Sequence, residues 1–294
     1  MNKINSQLQK WGPWMHRALQ LAALAEGDTS PNPMVGALVL DKNEQLVGEG
    51  FHARAGLPHA EVQALAQAGK AADQGTLVVT LEPCCHFGKT PPCTELILQS
   101  GLSQVVIGLQ DPDPRVAGRG ISLLKESGIN VLTGILADEI AFQNRAFLFR
   151  LRTGRPWGIL KWAMSFDGRI GLTNGKSKWI TGPNTRRLMH LYRLRNDAIL
   201  TGVNTVNEDN PQLNCRLPGL KKYSPNIFIL DTKLKIKLDS KILKNENITI
   251  ITSKNSSKDN IKLLKEKRKN IKVLKTDNTG LISVKSIIGY LASM

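Results

Sequence analysis

Four residues between positions 59 and 93 combine metal affinity with proton transfer: His59, Glu61, Cys84 and Cys93. One imidazole and two thiolates meet the tetrahedral nitrogen and sulfur preference of zinc, and three protein ligands leave the fourth position of the metal to water. Zinc lowers the pKa of that water toward neutrality. A carboxylate two residues past the histidine can take the water's proton and pass it to a departing group. The metal ligands are therefore assigned as His59, Cys84 and Cys93 and the catalytic residue as Glu61, a set suited to hydrolysis. Two blander accounts compete. A closed structural zinc site would need Cys85 or His86 as a fourth ligand, and a disulfide could instead join Cys84 to Cys93. Cys85 is otherwise read as a small buried residue, and Cys215, far along the chain, as inert.

These side chains need elements to hold them. A helix is expected over Pro13–Ala25, with proline in its first turn and Gly27 as its stop. A loop over 28–33 leads to strands at Val35–Leu40 and Gln45–Phe51, joined by the polar turn Asp41-Lys42-Asn43-Glu44. Periodicity then predicts a helix over His59–Ala68, a strand over Thr76–Leu81, a helix over Thr94–Gln99 and a strand over Gln104–Leu109. A helix over Gly120–Glu126, a strand over Ile129–Leu132 and a helical pattern over Ala137–Leu151 follow. His59 thus opens a helix, while Cys84 and Cys93 lie between a strand end and a helix start, where the helix dipole favours thiolate. The Gly, Pro and charge content of 152–156 marks a boundary between domains 1–150 and 151–294. Beyond it, a strand at Trp157–Ala163, a turn at Asp167-Gly168, a helix at Pro183–Arg195 and strands at Ala198–Gly202 and Ile227–Asp231 make a second α/β part. The tail from Lys233 alternates Lys and Ile too irregularly to define elements.

A chain of 294 residues has length for two domains, and its 41% apolar and 22% charged content is that of a globular protein. No run of 18 uncharged apolar residues spans a bilayer, and Met1–Trp11 has no secretory apolar stretch, so a cytoplasmic location and no membrane partner are expected. The formal charge of +16 suggests nucleic acid until it is divided along the chain. Residues 1–150 carry 12 basic and 14 acidic side chains, whereas residues 221–294 carry 17 and 6. A nearly neutral half around the candidate site argues against a nucleic-acid partner. The Lys, Asn and Ile enrichment of the tail is what drift in an AT-rich genome produces. The central basic residues, among them Arg186, Arg187, Arg193 and Arg195, suit a phosphorylated small molecule.

The His-x-Glu of 59–61 with Pro83-Cys84 and Cys93 is similar to the signature of zinc deaminases, in which the glutamate is not a ligand. The spacing departs from it, because eight residues separate the two cysteines. With that insert, the run Thr80-Leu81-Glu82-Pro83-Cys84-Cys85-His86-Phe87-Gly88-Lys89-Thr90-Pro91-Pro92-Cys93 resembles the riboflavin-biosynthesis deaminase-reductase family. So do the segments Pro31-Asn32-Pro33-Met34-Val35-Gly36-Ala37 and Gly48-Glu49-Gly50-Phe51-His52, and the likeness covers residues 13–232. It implies a cytidine-deaminase-like α/β/α domain followed by a dihydrofolate-reductase-like α/β domain, in a homo-oligomer. The implied substrate is a phosphorylated pyrimidine, a phosphoribosylated diaminohydroxypyrimidine that loses its ring amine to give a uracil. Asn32, His52, His86 and Lys89 would contact it by position. Asn32 between prolines would also suit a turn cap, and Lys89 a solvated loop charge.

In the second half, Leu160–Ile170, Gly175–Gly182 and Asp197–Val206, with Asp209-Asn210-Pro211-Gln212-Leu213, resemble the reductase part of the same family. The implied reaction reduces the ribose carbonyl form of the deaminated product with NADPH. By matching position, Ala163, Trp179, Thr205, Asp209 and Thr232 would meet NADPH, and Ser177, Arg193, Leu213 and Arg216 the substrate. One departure stands out: between Lys233 and Met294 the glycines are Gly280 and Gly289 alone, too far apart for a phosphate-cradling loop. The expectation is a deaminase beside a shortened, incomplete reductase.

Overall fold

The computed structural model describes residues 3–87 and 91–294, so Lys89 lies outside the described residues. The chain divides into two compact units, 1–157 and 158–294.

In the first unit, burial follows from apolar content on both sides of the strands. Gly36–Leu40 (β1) and Thr76–Leu81 (β3) are buried along their whole length, as central strands must be. Leu46–Phe51 (β2) and Asn130–Thr133 (β5) are partly exposed and take the edges, and Gln104–Leu109 (β4) lies inside, giving the order β2-β1-β3-β4-β5. β1 runs antiparallel to β2 and β3, and β3, β4 and β5 are parallel. Alternate residues of each strand feed opposite faces. Leu77, Val79, Val105 and Ile107 pack with Ala60–Ala68 (α2), Cys93–Gln99 (α3) and Arg119–Glu126 (α4) on one face. Leu38, Leu40, Val78 and Val106 pack on the other with Lys3–Ala23 (α1) and Ala137–Gln143 (α5). The result is the expected α/β/α sandwich.

Two local expectations change. The first helix starts ten residues before Pro13 and carries the proline inside it. Trp11, Met15, Ala18 and Ala22 form one buried stripe, whose packing outweighs the one missing donor. The pattern over 137–151 is two helices, α5 and Arg145–Thr153 (α6), parted at Asn144. α2 lies very close on the sheet: a side chain at Gly50 would put its Cβ 2.6 Å from Ala60 O and 2.9 Å from Ala64 N, so helix and strand backbones are in contact.

The second unit is a parallel sheet. After Pro183–Leu194 (α7), Ala198–Gly202 (β6) is followed by Val203–Asp209 (α8), Asn226–Leu230 (β7), Ile248–Thr252 (β8), Lys258–Glu266 (α9), Asn270–Val273 (β9) and Val284–Ala292 (α10). The strand order is β6-β7-β8-β9. Ile227, Ile229, Ile248 and Ile250 build a core on one face, and Phe228, Ile251, Ile282 and Ile287 on the other. The tail that defied periodicity is thus regular α/β structure. Trp157–Ala163, expected as a strand, has no ladder pairing, and Leu160 and Trp162 are exposed: an apolar run becomes a strand only beside a neighbour. No described helix is long and apolar enough to cross a membrane.

Candidate metal centre

His59 is the N-cap of α2, and the helix carries Glu61 inward in its first turn, where it is 3% exposed. β3 delivers Cys84 just past its end, and Cys93 is the first residue of α3. His59 Nδ1 lies 3.2 Å from Cys93 Sγ and 3.6 Å from Cys84 Sγ. The three donor atoms all fall within 4.8 Å of one another, a spacing and donor set that fit tetrahedral zinc. No fourth donor joins them among the described residues. All four cysteines are free, which removes the disulfide account. Cys85 turns away, its thiol 3.8 Å from Arg115 O, and burial raises its pKa.

The electrostatics suit a cation. The Cys93 thiol and the His59 imidazole beside Cys84 hold its pKa down to about 4, against the pull of burial, so it is a thiolate at neutral pH. Cys93, next to that thiolate and buried, is pushed upward and keeps its proton until a cation replaces it. The hydrogen bond that His59 donates to the Cys84 thiolate raises the His59 pKa. Glu61 is raised chiefly by burial. A carboxyl raised in this way is a better proton acceptor than an exposed one.

Asn32 and His52 come together beside the metal ligands. The His52 ring is edge-on to the His59 ring with centroids 5.2 Å apart, and His52 is 3% exposed. Its Nδ1 is 3.3 Å from Pro58 O, which can only accept, so the ring proton sits on Nδ1. Nε2 is then an acceptor, and Asn32 Nδ2 donates to it at 3.0 Å. Burial lowers the His52 pKa and keeps the ring neutral. His86 Nδ1 is buried without a hydrogen-bond partner among the described residues, a group that a ligand could satisfy.

Two structural supports carried no signal in the sequence. Glu82, 4% exposed, accepts from the backbone amides of Gly118 at 3.0 Å and of Asp111 and Ile121, both at 3.2 Å. It thereby ties the segment 111–121 to the strand end that bears Cys84. Gly120 permits this, because a Cβ there would stand 2.4 Å from Pro83 O. In the same segment Arg115 holds the Asp113 carboxyl below its ordinary range, while burial pushes Asp111 up to about 6. The second support is Asn144, whose buried side chain bonds Met34.

In the second unit the assigned residues fall into smaller groups. Arg193 Nη1 donates to Asn214 O at 3.0 Å, and the Arg216 amide donates to His190 Nδ1 at 3.2 Å, with Arg193 Nη1 3.3 Å from that same nitrogen. This gathers Arg193 and Arg216, and burial with the neighbouring Arg216 charge lowers the Arg193 pKa. Lys178 Nζ is 3.5 Å from Asp209 Oδ1, which draws the segment bearing Ser177 and Trp179 to α8, where Thr205 also lies. Trp179 is stacked by the Arg186 guanidinium at 4.3 Å. Leu213 packs on the core at the α8 side, Thr232 follows β7 with its carbonyl bonded by Ser253, and Ala163 lies in an irregular segment.

The α/β/α sandwich and its His-Cys-Cys donor set beside a buried carboxylate define the class of zinc-dependent deaminases. Residues 9–109 match the cytidine and deoxycytidylate deaminase zinc-binding region, and residues 156–292 match the RibD C-terminal domain. The chain belongs to the riboflavin biosynthesis protein RibD family, with a zinc-binding deaminase region followed by the reductase domain. It is 44% identical to the RibD of Aquifex aeolicus over 89% of this chain and 72% of that protein. The structure of Acinetobacter baumannii RibD in its form 1 matches with a TM-score of 0.85 and 38% identity, over 97% of this chain and 78% of that one. A Thermotoga maritima structure described as a diaminohydroxyphosphoribosylaminopyrimidine deaminase/5-amino-6-(5-phosphoribosylamino)uracil reductase matches at 0.83 and 36%, over 98% and 79%. Shared stretches take in from 54% to 78% of the lengths of eight curated relatives. The match to the C-terminal domain runs through the tail after Lys233, although no glycine-rich loop occurs there.

Proposed function

We propose that the first unit hydrolyses the ring amine of a phosphoribosylated diaminohydroxypyrimidine to give the uracil, and that the second domain reduces the ribosyl carbonyl of that product with NADPH. The observation that carries the reading is the triangle of half-buried His59 and Cys84 with buried Cys93, and buried Glu61 beside it. Zinc held there supplies Lewis acidity that brings water ionisation toward neutral pH. Glu61 does the rest of the proton work. It accepts the proton of the attacking water as oxygen bonds to the ring carbon, and it returns that proton to the amine as the carbon–nitrogen bond breaks, releasing ammonia.

The neutral, fixed His52 ring and Asn32 line the pyrimidine side, and His86 and Lys89 receive the polar and phosphate end of the substrate. In the second domain Arg193, Arg216 and Ser177 take the phosphorylated product, with Leu213 alongside. Ala163, Trp179, Thr205, Asp209 and Thr232 take NADPH. Reduction adds hydride to the sugar carbonyl carbon and a proton to its oxygen. The same reading makes the enzyme a cytoplasmic homo-oligomer.

The test is to give the zinc-loaded protein the diamino substrate and follow ammonia and NADPH separately. Ammonia release without NADPH, and NADPH oxidation only once the deaminated product is present, are expected. Absence of ammonia overturns the deaminase assignment, and absence of product-dependent NADPH oxidation overturns the reductase assignment.

A further inference from the structure

Asn144 stands at the junction of α5 and α6, and its main chain serves both helices: its amide donates to Ile140 O at 2.9 Å and its carbonyl accepts from Leu148 N at 3.0 Å. Its side chain caps neither. That side chain is 3% exposed and is spent on Met34, across 110 residues of sequence. Oδ1 accepts from Met34 N at 2.8 Å and Nδ2 donates to Met34 O at 3.0 Å, the pair of bonds that a neighbouring strand would otherwise supply. Arg150 of α6 adds a bond from Nη2 to Pro31 O at 3.3 Å.

The segment so fixed holds His52 at two points. Val35 O accepts the His52 amide at 2.9 Å, and the Asn32 side chain donates to the His52 ring at 3.0 Å. His52 in turn meets Pro58 O, one residue before the ligand His59. We infer that Asn144 is a positioning residue of the deaminase site. By clamping Met34 it sets the Asn32 amide and the His52 ring, and so the wall that the pyrimidine meets, from helices that lie outside the matched zinc-binding region of residues 9–109. The identity of the substrate rests on the function proposed above, but the clamp on His52 does not.

The effect should fall on binding more than on chemistry, because Glu61 and the donors are carried by α2, β3 and α3, whereas the Asn144 side chain bonds Met34. In the zinc-loaded full-length protein, Asn144→Ala should raise KM for the diamino substrate by about tenfold or more and keep kcat within about threefold, with zinc content unchanged. Selective 15N labelling of the five histidines should show the His52 ring nitrogens moving from their Nδ1-protonated pattern. Leu148→Ala, one helical turn on from Asn144, removes buried packing and leaves the Asn144–Met34 hydrogen-bonding groups in place. It should lower the melting temperature while leaving KM and the His52 signals in place. Should Asn144→Ala not fold, Asn144→Asp keeps the acceptor for Met34 N and sets a carboxylate oxygen against Met34 O, and it should shift KM and His52 in the same direction. A wild-type chain that releases no ammonia would defeat the proposed function and leave the His52 signals to decide this inference. Unchanged His52 signals in the Asn144 variants, or an equal rise in KM in Leu148→Ala, overturn it.

Discussion

Cys84 and Cys93 share one proton unequally: the first is a thiolate down to about pH 4, and the second, beside it, holds on to its hydrogen. A cation that enters must displace that hydrogen, so zinc uptake releases protons and weakens as pH falls. Glu61 is close to both sulfurs without belonging to the donor triangle. Glu61→Gln should therefore leave zinc content unchanged while lowering deamination by about 10²–10⁴-fold. Loss of zinc from that variant, measured by metal analysis, would show that the carboxylate is a ligand. The donors and Glu61 were legible in the sequence because few chemistries ask for those types at those spacings. Asn144 and Glu82 were not. A single Asn or Glu carries no mark of the distant amides it will meet, and both gain their role only when residues 34 and 111–121 are folded against them.

The segment 111–121 joins the end of β4 to α4, and its anchoring has a pH signature. Asp111 is raised from its ordinary 3.8 to about 6 by burial. A carboxyl raised in the folded state favours folding while it is protonated, and that contribution is lost as pH climbs from the unfolded value through about 6. Asp111→Asn keeps an oxygen for the Asp113 amide and removes the buried charge. Its stability relative to wild type should grow by about 1 kcal/mol between pH 5 and pH 8, measured by denaturant unfolding of the zinc-loaded protein. A constant difference across that range would place the titration elsewhere. Among elements, the strands buried on both faces announced themselves by unbroken apolar runs, and β3 keeps its expected bounds. The tail was opaque for the same physical reason in reverse. Ile248, Ile250 and Ile251 are buried on two faces, while exposed lysines interrupt the neighbouring segments, so neither period of 2 nor of 3.6 emerges. Trp157–Ala163 misled because strand propensity says nothing about whether a neighbour is present.

At the scale of the molecule, the nearly neutral half and the basic half are separate compact units, and every residue assigned to deamination, Asn144 included, falls within 1–157. Residues 1–157 produced alone should fold, bind zinc and deaminate within about threefold of the full-length rate. Failure to retain zinc would mean that the second unit is needed to build the first. A different independence is built into the seating of α2. Its backbone rests on β2 with no side chain between them at Gly50, as a machine part is mounted on a datum face without a shim. Side-chain volumes elsewhere in the core can then change without altering how the helix that follows His59 and bears Glu61 is seated on β2. The seating of the helix that bears Glu61 is set by a glycine that has no chemistry of its own.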